Sequence, residues 1–510
     1  MGSDSGSKKR GDRRRRGRRR RRRRRKRTSY ARDLGGAKAA ARERFGVQRL
    51  HPEQRQAIAA VLKGRDAVVV LPTGYGKSLV YQVPAVLFDR PVIAISPLIA
   101  LMRDQERGLR RRGVPVVRID STLKAKERRE ALARVAKGGS LVILTTPETL
   151  QSEALQEPLA AAKPQLLCVD EAHCISEWGH DFRPAYLRLG SIRRALGIDA
   201  GLALTATATP RVADDIAERL LLDEPLVVRA PPHRKNLRLQ VQHSPGNLKF
   251  ERAAKLIKRL GRPGIVYCAT TKAVDSVHAA LTRARIPVAR YHGKMKTSQR
   301  EAAQKRFMKP SKRLVMVATS AFGMGIDKPN IRYSVHFQAP GSLEQYVQEA
   351  GRAGRDGKKA RCVLLYDPDD LDIQEYLQKQ GRPTGAQLER AGRALAAYAD
   401  DGQSVTAKEL SLAARVPATI ARVVCAQLEQ VGVVANHKRR WQAAASPAEI
   451  LEQTEDLAAR FEVQRIEDAR RLRSIDGYAE TEGCRSAFIR RHFGEDDPPD
   501  CGRCDNCQRR

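Results

Sequence analysis

A chain of 510 residues is too long for one hydrophobic core, so three or more folded units are expected. Hydrophobic residues make up 41%, ordinary for a water-exposed protein, and no apolar run approaches the roughly 18 residues of a membrane span. The net charge of +39 points to polyanionic partners and away from basic ones.

The first ten residues are polar, with no apolar segment of a secretory signal. An intracellular place follows as an expectation: cytoplasmic at the nucleoid of a bacterium, or nuclear in a eukaryote. Nine cysteines in such a chain predict reduced thiols or metal ligands rather than disulfides.

The charge is concentrated at the start. Fourteen of the fifteen residues from Arg13 to Arg27 are basic, and residues 1–27 alone hold a net +15. A block of this kind repels itself and buries nothing, which predicts a disordered polybasic tail over 1–33. Nucleic-acid tethering, a solvated low-complexity tail and a nuclear-localisation signal all share this composition.

From Leu34 onward, short apolar runs alternate with helical stretches. Runs at 67–71, 92–96, 141–146, 166–170 and 201–207 read as strands buried on both faces, and a second set lies at 264–268, 314–319, 333–337 and 362–366. Each set with its helices predicts a parallel α/β lobe, with a link near Glu224–Asn236, where Pro225, Pro231 and Pro232 fall. After about Asp370 the pattern turns helical. Thr406 and Glu409 form a capping box, Pro417 suits the start of a helix ending at Gln430, and residues 431–441 read as a small hairpin with a basic tip. Helix, turn, helix and hairpin suggest a winged-helix-like module over 385–445, with a generic helical linker as the alternative. A second capping box, Ser446 with Glu449, opens a long amphipathic helix with Ile450, Leu457 and Phe461 on one side.

Three motifs carry chemistry. Leu71-Pro-Thr-Gly-Tyr-Gly-Lys-Ser78 follows a strand and opens a helix, where backbone amides and a helix N-terminus cradle phosphates. Thr73, Gly74 and Gly76 shape this loop, Lys77 would reach the β/γ-phosphates of ATP, and the Ser78 hydroxyl would hold Mg²⁺. The strict pattern asks for glycine where Leu71 stands. At the end of a later buried strand, Asp170 can coordinate Mg²⁺ while Glu171 polarises the attacking water. Arg352 and Arg355, three apart between glycines, share a helix face and can stabilise charge on a transferring phosphate, so that turnover depends on lobe closure.

Together with the run Asp170-Glu-Ala-His-Cys-Ile-Ser-Glu-Trp-Gly-His-Asp-Phe-Arg-Pro184, these motifs resemble superfamily 2 helicases of the RecQ type. The resemblance runs from about 34 to 370 and resumes over 450–510. It implies RecA-like lobes at 34–225 and 226–372, 3′→5′ DNA unwinding, and roles in recombination and repair. Trp178, His180, Phe182 and Arg183 would couple single-strand binding to hydrolysis, in keeping with bases stacking on aromatics and guanidinium planes. The resemblance also implies that Ser96–Gln105 and Thr146–Glu148 contact the DNA backbone, and that Leu204–Thr207 links hydrolysis to movement. Segments 267–270, 291–293 and 318–327, the last ending on Asp327, would form the lobe-two strand track with its ATP contacts. Gln54 would read the adenine edge. The family often has an aromatic at Val47 and an arginine at His51.

Cys484, Cys501, Cys504 and Cys507 give four thiolates, three of them in a tight run. The spacing suits tetrahedral Zn²⁺, with an iron–sulfur cluster as the chemical rival, and the resemblance implies a structural zinc module at 446–510. In that family the module usually follows the motor directly. Here some 75 residues intervene, and Lys438, Arg439, Arg440 and Trp441 at the hairpin tip are expected to bind duplex DNA. Forked or junction DNA is the expected partner, with no membrane. An RNA helicase, a translocase that does not unwind, and a DNA-binding scaffold switched by ATP are the competing functions.

Overall fold

The computed structural model describes residues 31–509 except 177–181, 233, 247, 262, 310–312, 324–327, 381 and 438–439. Seven strands form the first sheet: β1 (Ala67–Val70), β2 (Val92–Ile95), β3 (Val116–Ile119), β4 (Val142–Thr145), β5 (Leu166–Asp170), β6 (Ala200–Thr205) and β7 (Leu226–Arg229). They lie in the order β3-β4-β2-β5-β6-β1-β7, all parallel. The second sheet holds β8 (Leu237–His243), β9 (Gly264–Tyr267), β10 (Val288–Tyr291), β11 (Val315–Ala318), β12 (Tyr333–His336) and β13 (Ala360–Tyr366). Its order is β10-β11-β9-β12-β13-β8, again all parallel. Helices cover both faces of each sheet, which is why the central strands are continuous apolar runs.

Four strands escape the sequence pattern, and they share one property. β3, β7, β8 and β10 are the outer strands of their sheets, and each is only partly buried. An edge strand has a neighbour on one side only, so its sequence keeps polar residues such as Arg118, Arg229 and Arg238 that a central strand could not hold. The proline-rich link expected near Glu224–Asn236 therefore contains β7, which pairs with β1 in the first sheet.

Beyond the lobes, the helix Gly385–Asp400 leads into β14 (Val405–Thr406), the helices Ala407–Ala413 and Ala418–Gln430, and the hairpin of β15 (Val434–His437) and β16 (Arg440–Ala443). The three short strands form an antiparallel sheet, and this unit has its own apolar core. Both expected capping boxes form, at Thr406 and at Ser446. Ser446 opens the 34-residue helix Pro447–Glu480, about 51 Å long at 1.5 Å per residue. Its first half packs Ile450, Leu457 and Phe461 into the core of the insert, while Ile475 and Tyr478 enter the core of the second lobe. The Tyr478 hydroxyl donates to that of Tyr346 at 3.0 Å, and Arg211 of the first lobe pairs with Glu467 at 3.1 Å. This helix thus ties the insert to both lobes. No described helix is long and apolar enough to cross a membrane.

Candidate active site and metal centre

β1 is followed by Leu71, which is wholly buried and donates its N–H to Thr205 O at 3.0 Å. The departure from glycine there is a core residue just past a strand. Past it the loop turns on Gly74 and Gly76, with φ of +85° and +79°, a left-handed backbone that favours glycine. A Cβ on Gly76 would also fall 2.8 Å from Gln54 Nε2. The helix Leu79–Ala85 follows directly, with Ser78 at its N-cap.

Thr73, Gly74, Lys77 and Ser78 line a cavity of about 380 Å³, and the same cavity is lined by Asp170, Glu171, Arg352 and Arg355. Nine of the residues expected to handle nucleotide thus face one space, counting Gly76. Burial and then the neighbouring Glu171 carboxylate push the Asp170 carboxyl up to about 7, against the pull of Lys77. Glu171 sits at φ +50°, unusual for a residue with a side chain, and its Oε2 is buried with no hydrogen bond. That oxygen lies 3.5 Å from His173 Nδ1. Ser78 Oγ and the Asp170 carboxylate are hard oxygen donors on one wall, a set that fits Mg²⁺.

His173 Nδ1 lies 3.0 Å from Thr205 Oγ1, joining the segment after β5 to the end of β6. Burial, then the charges of Lys77 and Arg183, pull this imidazole down to about 3, so it is neutral at working pH. On the lobe-two side Arg352 is buried and donates to Gly323 O. Arg355 lies against the loop of lobe one, its Cγ 3.2 Å from where a Gly74 Cβ would stand. Arg234 went unnoticed in the sequence. It donates to the carbonyls of Gly351 and Ala353, and Asn236 donates to those of Gly354 and Lys358 at 2.8 Å, so the inter-lobe segment braces the arginines. An Arg and an Asn in a proline-rich link gave no signal of this role.

Gln54, expected to read the adenine edge, is hydrogen-bonded to the phosphate loop. It is 2% exposed, donates to Tyr75 O at 2.9 Å and Gly76 O at 3.1 Å, and accepts from His51 N at 2.9 Å. Both amide protons are directed at the phosphate loop, so the side chain holds the loop from behind. Beside it the His51 ring stacks on Tyr75, with centroids 4.1 Å apart. Tyr75 donates to Glu53 at 2.7 Å, and burial together with that carboxylate raises its hydroxyl to about 12. Val47 packs on the first core instead.

Phe182 and Arg183 are half-buried just before the turn Pro184–Tyr186. Trp178, His180, Asp327, Lys438 and Arg439 lie outside the described residues. Arg440 is exposed but bound to Ser404 and to Glu409, at 3.1 Å from the latter. Trp441 is not at a DNA-facing tip: its ring is buried in the core of the insert and its Nε1 donates to Glu429 at 3.3 Å. Period-two alternation in β16 turns it inward while Arg440 faces out.

The four cysteines converge as expected, with all Sγ atoms within 4.8 Å of one another. Backbone N–H groups point at the sulfurs: Ala487 and Cys501 at Cys484 Sγ (3.4 and 3.2 Å), Cys504 at Cys501 Sγ (3.4 Å), and Cys507 at Cys504 Sγ (3.5 Å). Four mutually close thiolates with such donors fit one tetrahedral ion. An iron–sulfur cube would set its cysteine sulfurs around a larger body. The unit is closed by the Arg485–Asp505 pair at 3.0 Å and docks on β8, where Val241 N donates to Asp505 at 2.9 Å.

Two parallel α/β lobes with a phosphate loop on one, an arginine pair on the other and a shared cavity define a nucleotide-driven motor of the DEAD/DEAH-box helicase class. Three family models match in succession: DEAD/DEAH box helicase over 51–216, helicase conserved C-terminal domain over 248–357, and RecQ zinc-binding over 448–508. The chain belongs to the RecQ family. It is 35% identical over 91% of its length to the ATP-dependent DNA helicase RecQ of Bacillus subtilis, and covers 65% of that protein. It is 38% identical over 68% of its length to the probable ATP-dependent DNA helicase RecS of the same organism, covering 69%. The chain thus spans about two thirds of the length of these relatives. Among solved structures, the Mycobacterium smegmatis helicase Lhr bound to single-stranded DNA and AMP-PNP matches 83% of this chain and 62% of its own, with TM-score 0.53 at 22% identity. Helicase MrfA bound to DNA matches 81% and 59%, with TM-score 0.55 at 20% identity. These two likenesses concern the fold.

Proposed function

We propose that this chain is an ATP-dependent DNA helicase, moving 3′→5′ on single strands and serving recombination and repair at forked or junction DNA. The observation that carries the reading is the cavity shared by Lys77, Ser78, Asp170 and Glu171 of one lobe with Arg352 and Arg355 of the other. Lys77 and the loop amides bind the phosphates, Glu171 takes the proton of the attacking water, and the two arginines meet the charge that develops on the γ-phosphate. Ser78 and Asp170 would hold the Mg²⁺ that neutralises phosphate charge. Because the arginines belong to the second lobe, hydrolysis requires closure, and the changing grip of the two lobes on a strand makes steps. His173 and Thr205 couple the water-activating strand end to the segment that shifts.

In this reading the first lobe runs from 34 past the expected 225 through β7 to 229, the second from 230 to 372, and 385–445 serves as a winged-helix-like duplex contact joined to the zinc module at 446–510. Trp178, His180, Phe182 and Arg183 engage bases, while Lys438, Arg439 and Arg440 meet the duplex backbone. Strand displacement on matched DNA and RNA forks tests the reading. DNA-stimulated ATPase with DNA unwinding, both abolished by Glu171→Gln, is the expected outcome. Unwinding of RNA alone, or an ATPase indifferent to DNA, would overturn it.

A further inference from the structure

A cavity of about 670 Å³ lies on the second lobe and shares no lining residue with the nucleotide cavity. It is bounded by the N-terminal ends of β8 and β13, the end of the helix Leu248–Arg259, and Arg503 and Gln508 of the zinc module. Among the described residues, its lining contains seven lysines and arginines, no carboxylate and no aromatic ring. Arg332 is neutralised by Asp356, which it meets with both carboxylate oxygens at 2.7 Å. The other six, Lys235, Arg238, Arg259, Lys359, Arg361 and Arg503, have no carboxylate partner among the described residues.

The sheet register sharpens the point. Arg238 of β8 stands directly opposite Arg361 of β13, while their neighbours Leu237, Leu239, Ala360 and Cys362 face the core. Like charges paired across adjacent strands oppose folding, and no acidic residue among the described ones relieves them. Arg238 Nε is moreover buried without any hydrogen bond. An anion bridging the two guanidiniums would resolve both defects.

We propose that this cavity binds the phosphodiester backbone of a nucleic-acid strand outside the inter-lobe path, without regard to sequence. The proposal rests on the reading of the chain as a DNA motor. Guanidinium forks match phosphate oxygens. Without aromatic rings among the described lining, stacking is left to guanidinium planes, which any base satisfies, and the Asn236 amide is spent on Gly354 and Lys358, so base readout has few means here. An acidic peptide docking as an added strand would need the free edge of β8. Two N–H groups of that edge are already taken: Leu237 N donates to Arg234 O at 2.9 Å and Val241 N to Asp505 at 2.9 Å. A nucleic-acid backbone needs no such edge.

The test uses the full chain with Arg238→Gln, Arg259→Gln and Arg361→Gln combined, beside the matching triple lysine variant. Binding of fluorescent dT10 and dT50 is measured from 50 to 300 mM salt, together with DNA-stimulated ATPase. For dT50 the slope of log affinity against log salt should flatten by about 2, at roughly 0.7 per single-strand phosphate contact. The lysine variant should retain the wild-type slope, dT10 should change far less, and kcat at saturating DNA should hold, since none of the three residues lines the nucleotide cavity. An unchanged dT50 slope in a chain whose ATPase still responds to DNA overturns the cavity and leaves the motor standing. A wild-type ATPase indifferent to DNA sinks the motor reading, and the slope still judges the cavity. Direct binding of a fluorescent oligoglutamate peptide to wild type but not to the glutamine variant, with the dT50 slope the same in both, would assign the cavity to acidic peptides and overturn the proposal.

Discussion

Replacing Gln54 by alanine would remove two hydrogen bonds to loop carbonyls and one from the His51 amide, all between 2.9 and 3.1 Å. At a net of about 0.5–1.5 kcal/mol each, the phosphate loop would lose roughly 1.5–4.5 kcal/mol of local order. About 2 kcal/mol reaching the bound transition state would lower kcat/KM some thirtyfold. Because the amide grips the loop that holds the phosphates, the loss should be the same for ATP and GTP. The assay is steady-state hydrolysis of both nucleotides at saturating DNA by wild type and Gln54→Ala. A residue that reads adenine gives a different pattern, with ATP losing at least tenfold more than GTP. That result would refute the bracing role drawn from the hydrogen bonds.

Arg352→Ala and Arg355→Ala should each lower kcat by about 10³ or more with ATP affinity within a few-fold, as rapid-quench hydrolysis and nucleotide binding would show; losses under tenfold would remove the arginines from the chemistry. Asp170 is raised toward 7, so its proton competes with Mg²⁺ below that pH. The apparent Mg²⁺ affinity of the ATPase should therefore fall about tenfold from pH 8 to pH 6, and a flat profile would contradict the burial-driven shift. Cys504→Ser should reduce zinc from about one per chain to near none and lower the melting temperature, because the site shares its core with the second lobe. Trp441→Ala should destabilise the insert by about 3–5 kcal/mol by denaturant unfolding while the basal ATPase persists; a variant of native stability with weakened duplex binding would return Trp441 to the DNA surface.

The sequence determined what is local. Lys77 and Ser78 stand at a fixed spacing between a strand and a helix, so the phosphate loop can be read without its surroundings. The same holds for Asp170 and Glu171 at the end of a buried strand, for the capping boxes at Thr406 and Ser446, and for the cysteine run at 501–507. In each case the residues lie within a few positions of one another, and backbone geometry alone brings them together. Central strands were equally legible, since burial on both faces demands an unbroken apolar run.

Tertiary structure decided whatever depends on a distant neighbour. The edge strands β3, β7, β8 and β10 look polar or irregular in sequence because one flank has no partner. Gln54 has the right chemistry for a base, but fold geometry delivers both its protons to carbonyls more than twenty positions away. Trp441 reads as a basic-tip aromatic until strand alternation turns it into the core. Arg234 acquires meaning only where the chain between lobes passes under the arginine segment, 117 residues further on. The zinc module, separated from the motor by the insert, still docks on the second lobe, because the helix from Pro447 to Glu480 carries Ile475 and Tyr478 back to its core. Pairings of this kind are set by which surfaces remain to be buried once the sheets have formed, and no local pattern encodes them.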